Sequence, residues 1–245
     1  MGRFITIWGS PNSGKTTLAL QIASKLSRTK NAQTVVISPN YETPVLSYLF
    51  PMRQNKDLAS LGETLNRVNV VSEDIYENMI IPKGNDNLGI LGFKDKENRF
   101  SYETFTAESI TETFNELRKI ADYIIIDCNS NLENNLLSNL ACQLSDIGIR
   151  LKTPDMKCIS WYGSQMEIYN SQHYNIGNQI EVLNINDFSV NPTEIEAKDE
   201  NIKFVLPYCK DLRKRMQEGT LTECTNDSKY NKVLNQIINA IIWFF

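Results

Sequence analysis

Apolar residues along the chain fall into two rhythms that take turns. Residues 3–8 (RFITIW) form a short apolar run ending before a glycine, and 33–38 (QTVVIS), 122–127 (DYIIID), 146–152 (DIGIRLK), 179–185 (QIEVLNI) and 201–207 (NIKFVLP) are similar runs. Runs of this length and composition predict buried strands. Between them the apolar positions spread to helical spacing. Residues 14–28 carry them at 18, 19, 22, 23 and 26, and 106–121 at 110, 114, 117 and 120, with Thr106 placed to cap. Helices are also expected over 43–50, with Pro44 in the first turn, and over 133–145, 154–170, 210–219 and 228–245. Gly219 stands where a helix closes.

Residues 51–105 are less regular. The pattern suggests a helix in LASLGETLNRV and short strands in VNVV, NMIIP and LGILGF, broken by the polar turn KGNDN. This stretch reads as an irregular excursion or a small insertion. Strand–helix alternation with continuous apolar strands predicts an α/β three-layer sandwich around a mostly parallel sheet. With neither a repeat nor a flexible linker in sight, residues 1–245 are expected to form one domain.

Composition narrows the chemistry. A formal charge of −4 argues against a chain that coats nucleic acid by bulk electrostatics. Five cysteines without a C-x-x-C pair, beside one histidine, His173, argue against zinc and fit reduced thiols in the cytoplasm. No apolar run reaches the roughly 18 residues of a spanning helix.

The informative stretch is WGSPNSGKTT. Gly9, Ser10, Pro11, Asn12, Ser13, Gly14, Lys15 and Thr16 satisfy G-x-x-x-x-G-K-[ST], directly after an expected strand and at the head of an expected helix. Successive loop N–H groups there form an anion nest, Gly14 lets backbone approach phosphate, and the helix offers its positive end. Lys15 is placed to reach the terminal phosphates, and the Thr16 hydroxyl to ligate Mg²⁺. Asp127, at the tip of a later buried strand, is the expected second metal contact, alternatively a helix cap.

On these motifs, with TVVIS, ADYIIIDCNSN, DIGIRLKTPDM, IEVLNIND and FVLPYCKDLRKRMQEG, the chain resembles the ParA/MinD superfamily of P-loop ATPases, including its TadZ- and CpaE-like members. The resemblance implies a P-loop NTPase fold, ATP and Mg²⁺ as ligands, and a nucleotide-dependent homodimer. It implies that Lys15, Thr16 and Thr17 meet phosphate and metal, that Asn184 sits near the adenine, and that Pro207 and Tyr208 wall the base.

The chain departs from the family pattern in three places. Ser10 stands where many members have a second lysine. Ser38 and Asn40 stand where strand 2 usually ends in an acid followed by a second, water-orienting acid. Cys128, Asn129, Ser130 and Asn131 replace a Pro/Gly switch. Asn40 is the size of Asp but a poor proton acceptor. Binding residues are intact while hydrolytic ones are altered, so the expectation is a nucleotide holder with weak or absent hydrolysis. It would serve as a positioning or scaffold factor for a pilus, secretion or conjugation assembly. An active DNA-partitioning ATPase and a small-molecule kinase or synthetase remain alternatives. Lys210, Arg213, Lys214 and Arg215 form a possible DNA patch, with a solvated face favoured. The apolar C-terminal helix lacks the basic face of a membrane anchor, which favours packing on the sheet or an interface.

Overall fold

The computed structural model describes residues 1–54, 57–102, 105–170, 178–187 and 201–243. His173 and the end of the aromatic-rich stretch ISWYGSQMEIYNSQHY (159–174), which reads as a partner surface or as helix packing, lie outside these residues. Seven strands form one sheet: β1 (Arg3–Gly9), β2 (Thr34–Ser38), β3 (Leu88–Gly92), β4 (Tyr123–Asp127), β5 (Ile147–Lys152), β6 (Gln179–Asn184) and β7 (Ile202–Leu206), in the order β3-β2-β4-β1-β5-β6-β7. Every pairing between these strands is parallel. The helices are α1 (Lys15–Thr29), α2 (Leu46–Leu49), α3 (Leu61–Leu65), α4 (Ser72–Asn78), α5 (Ala107–Ile120), α6 (Leu136–Leu144), α7 (Met156–Asn170), α8 (Lys210–Glu218) and α9 (Ser228–Trp243).

The continuous apolar strands serve two cores at once. Ile5 and Ile7 of β1, Val36 of β2 and Ile125 of β4 face a core shared with α1 and α9. Phe4 and Trp8, Val35 and Ile37, and Ile124 and Ile126 face a second core covered by α5 and α6. Period-two side-chain alternation thus explains why these strands read as unbroken hydrophobic runs. The C-terminal helix α9 buries Tyr230, Leu234, Ile237, Ile238 and Ile241 in the first core, and Trp243 at its end stays 85% exposed.

Residues 51–105 differ from expectation in detail. VNVV forms no strand: Asn69 adopts a left-handed φ of 60°, which breaks an extended path, and SEDIYEN after it is helix α4. NMIIP contributes only a single antiparallel bridge, Ile80 with Ile90; Pro82, which lacks an N–H, cannot extend it as a ladder donor. The helix expected over 43–50 shrinks to one turn, α2. LGILGF does form a strand, and β3 is an integral edge of the sheet beside β2.

The topology decides where the site lies. The chain leaves β1 for β2 and β3 on one side, returns through β4 between β1 and β2, and then builds β5, β6 and β7 on the other side. The carboxyl ends of β1 and β4 therefore meet where the winding reverses, the favoured ligand crevice of an open parallel sheet.

Candidate functional site

The loop after β1 is shaped by backbone angles that its residues permit. Asn12 is left-handed at φ 59° and Gly14 at φ 93°. A Cβ on Gly14 would stand 2.6 Å from Nδ2 of Asn184, so a glycine is required on both counts. Helix α1 starts at once, with Gly14 as its N-cap residue and no acidic side chain in its first turn. Its unmatched N–H groups and positive end are left open to an anion. The hydroxyls of Ser10 and Ser13 are buried and have no hydrogen-bond partner among the described residues.

Lys15 folds back over the loop. Its Nζ donates to the carbonyls of Ser10 (2.8 Å) and Gly9 (3.2 Å) and to Ser130 Oγ (2.7 Å). Burial lowers its pKa, and the charge of Asp127 opposes that fall. Pairing of Ile7 with Asp127 in the β1–β4 ladder brings the aspartate to the end of β1. Thr16 Oγ1 donates to Asp127 Oδ2 at 2.6 Å, joining residues 111 positions apart. The carboxyl is buried, which pushes its pKa up to about 6 despite the Thr16 hydrogen bond and the Lys15 charge. An all-oxygen pair of hydroxyl and carboxylate, with the carboxylate made costly to ionise by burial, suits a hard divalent cation such as Mg²⁺.

These groups open into a cavity of about 840 Å³. The loop from Pro11 through Thr17 forms one wall, Asn40 and Glu42 a second, and residues 127–131 a third. Trp161, Gln165 and Ile168 of α7 close the far side. A second hollow of about 320 Å³ adjoins it and shares Asn12, Gly14, Thr17 and Met216. Asn184, Pro207 and Tyr208 line this smaller space, as does Arg213. Asn184 also donates from Nδ2 to the carbonyl of Ser13 at 2.9 Å, tying the end of β6 to the loop. A hollow of about 850 Å³ lies at the opposite ends of the strands, near Arg3 and Arg118, but Arg118 is committed there to Asp146 and the Gly2 carbonyl.

Every residue assigned to phosphate, metal or base thus borders one of these two adjoining spaces, save Gly9 and Ser10. Other features resolve differently. Asn40 borders the larger cavity, but its amide is spent within its own turn: Oδ1 accepts from the N–H of Glu42 and Thr43, and Nδ2 donates to Thr43 Oγ1. The segment after Asp127 is fastened, with Asn129 N–H donating to Ser138 Oγ and Asn131 N–H to Asn129 Oδ1. In the basic helix α8, Arg215 pairs with Asp211 and Glu223 at 2.8 Å each, and Lys214 lies 3.6 Å from Glu218. Two of the four basic residues of the patch thus face carboxylates. Trp161 carries no motif, and Ser130, which the sequence marks only as part of the altered segment after Asp127, gives no sequence signal of its contact with Lys15. An aromatic-rich helix after a Thr-Pro turn was the sole hint of Trp161.

No protein-family model and no curated protein matches the sequence. Solved structures do match it over nearly the whole chain. A ParA family ATPase from Chlorobium tepidum TLS superposes with a TM-score of 0.76 at 13% identity, over 97% of this chain and 99% of that one. A candidate plasmid partition protein from Borrelia burgdorferi B31, bound to AMPPNP, gives 0.71 at 19% identity over 100% of both chains. The septum site-determining protein MinD of Pyrococcus horikoshii OT3, complexed with Mg-ADP, gives 0.66 at 16% identity over 98% and 95%. The seven-stranded parallel sheet covered on both faces is the P-loop NTPase fold of the ParA and MinD proteins.

Proposed function

We propose that the protein binds ATP with Mg²⁺ in the cavity between the β1–α1 loop and the end of β4. The observation that carries this reading is the meeting of Lys15, Thr16 and Asp127, with Thr16 and Asp127 only 2.6 Å apart. The phosphates lie against the loop N–H groups and the head of α1, and Lys15 exchanges its loop carbonyls for phosphate oxygens. Thr16 and Asp127 hold the metal, which supplies charge neutralisation at the phosphates. The base occupies the smaller hollow by Asn184, Pro207 and Tyr208. The AMPPNP and Mg-ADP complexes of two structural neighbours support these ligands.

Hydrolysis is slow or absent. Ser10 supplies no charge, Asn40 is neutral and occupied, and Lys15 is the sole Lys or Arg among the described residues bordering the larger cavity. A missing stabilising cation typically costs about 10³-fold in rate. A nucleotide state that persists suits a positioning or scaffold factor better than a fast cycle. On this reading the protein, as a nucleotide-bound homodimer in the cytoplasm, marks a place for a larger pilus, secretion or conjugation assembly, in the manner of TadZ- and CpaE-like proteins. Titration with mant-ATP and a phosphate-release assay test it together. Tight binding with little release is expected. Release as fast as that of a sandwich-dimer ATPase overturns the holder reading, and no binding overturns the site.

A further inference from the structure

The turn that follows β2 carries a carboxylate with no assigned task. We propose that Glu42 is the residue that aligns the attacking water in the residual hydrolysis of ATP, and that Asn40 is the positioning residue that holds it there. This rests on the nucleotide reading above.

Three observations support it. First, the turn is locked. Asn40 Oδ1 accepts hydrogen bonds from the N–H groups of both Glu42 and Thr43, each at 3.0 Å, and its Nδ2 donates to Thr43 Oγ1 at 2.7 Å. This Asx turn sets the backbone of residue 42. Second, the turn is anchored from outside. Tyr41 donates its hydroxyl proton to the Asn134 carbonyl at 3.0 Å and sets its ring edge-on to Phe93 at 5.8 Å. Third, Glu42 borders the same cavity as Lys15, Thr16 and Asp127. It leaves the sheet from β2, the strand paired directly with β4, which ends in Asp127.

Two neighbouring groups at the cavity are chemically unsuited. Both ends of the Asn40 amide are used, and an amide is a poor proton acceptor. Asp127 is engaged by Thr16 and buried at the metal position. Glu42 is exposed at the cavity mouth, and an ionised carboxylate is an acceptor on both oxygens. In the step assigned to it, Glu42 accepts a hydrogen bond from water. The water oxygen bonds to the γ-phosphorus. The bond from that phosphorus to the β–γ bridging oxygen breaks, its electron pair leaving with ADP. The displaced proton passes by way of the carboxylate to solvent, so ATP and water become ADP, phosphate and a proton. The locked turn substitutes reach from residue 42 for an acid at residue 40.

The test uses the full chain with Mg-ATP labelled at the γ-phosphate, under single turnover, beside mant-ATP affinity for each variant. Glu42→Gln is expected to slow release by about 10²-fold, the usual worth of a proton-accepting group, with affinity within about twofold of wild type. Asn40→Ala is expected to slow release comparably by freeing the turn. Asn40→Asp, which keeps an acceptor for both N–H groups, is expected to release phosphate as wild type does while Glu42 is present and to stay slow when combined with Glu42→Gln; fast release from that double variant shows that an acid at residue 40 acts by itself and overturns the proposal. Wild-type release from Glu42→Gln overturns the proposal. So does a fall confined to Glu133→Gln, the other acid at the mouth, or wild type that binds but releases nothing; both leave the binding reading standing. Failure of wild type to bind mant-ATP removes the nucleotide site itself.

Discussion

Replacing Asp127 by Asn should make the unliganded protein more stable. The carboxyl is buried, and its pKa of about 6 against an ordinary 3.8 means that holding it ionised in the fold costs about 3 kcal/mol at neutral pH. Asn has nearly the same volume and still accepts from Thr16 Oγ1, so the 2.6 Å contact persists while the charge goes. Part of the gain is returned, because Asp127 is the charge that opposes the burial-driven fall of Lys15. A net gain of about 1–3 kcal/mol is left, or about 2–4 °C in Tm per kcal/mol for a chain of this length.

The pH dependence has a definite sign. A carboxyl whose folded pKa is raised binds its proton more readily in the native state, so wild type loses stability as pH rises from about 4 to about 6. The advantage of Asp127→Asn is therefore full above about pH 7 and vanishes below about pH 4. Urea unfolding in EDTA at pH 4, 6 and 8 measures it. A variant equal to or weaker than wild type at pH 8 refutes the reasoning, because the aspartate is then not held at a cost. Adding Mg-ATP should raise the stability of wild type and leave the variant behind, since binding stabilises only the form that binds.

Other outcomes follow from the same geometry. Gly14→Ala should lose at least about 1–2 kcal/mol in urea unfolding, and its mant-ATP affinity, because φ is 93° and the new methyl meets the Asn184 amide at 2.6 Å. Ser130→Ala should raise ATP affinity about three- to tenfold by calorimetry: it removes one of three acceptors that hold Lys15 in the unliganded loop, and a bond to a charged group is worth about 1.5–3 kcal/mol before the other two compensate. A gel shift with random duplex DNA should show no complex at about 0.15 M salt, where exposed cations are screened, because Arg215 and Lys214 already face carboxylates.

Much of this arrangement is readable from sequence because its causes are local. The glycine loop is defined by spacing, and a buried strand such as YIIID must end where its charged residue meets the sheet edge. In a parallel sheet the carboxyl ends of all strands share one edge, so both motifs are expected there; that β4 lies directly beside β1 is set by the strand order. What was not readable depends on non-local contact. Ser130 matters only because Lys15, 115 positions away, turns toward it. Trp161 borders the cavity because α7 is tied back to the sheet, with Tyr162 donating to the Leu151 carbonyl and Tyr169 edge-on to Trp8, and no residue spacing encodes that. Asn40 reads as a lost acid until its hydrogen bonds to Glu42 and Thr43 are seen. The misread strand at VNVV has a local cause: β-branched valines favour extension, and one left-handed asparagine overrides them.

The central claim is that the loop from Gly9 to Thr16 and the distant Asp127 act together on a metal-bound triphosphate. Isothermal calorimetry of Mg-ATP into wild type and Lys15→Ala, each with and without EDTA, tests it most directly. The account predicts saturable heat for wild type, weaker in EDTA, and affinity reduced by about 10²-fold or more in the variant, which loses a buried charge-assisted contact. Equal binding by both proteins, or no heat from wild type, contradicts it.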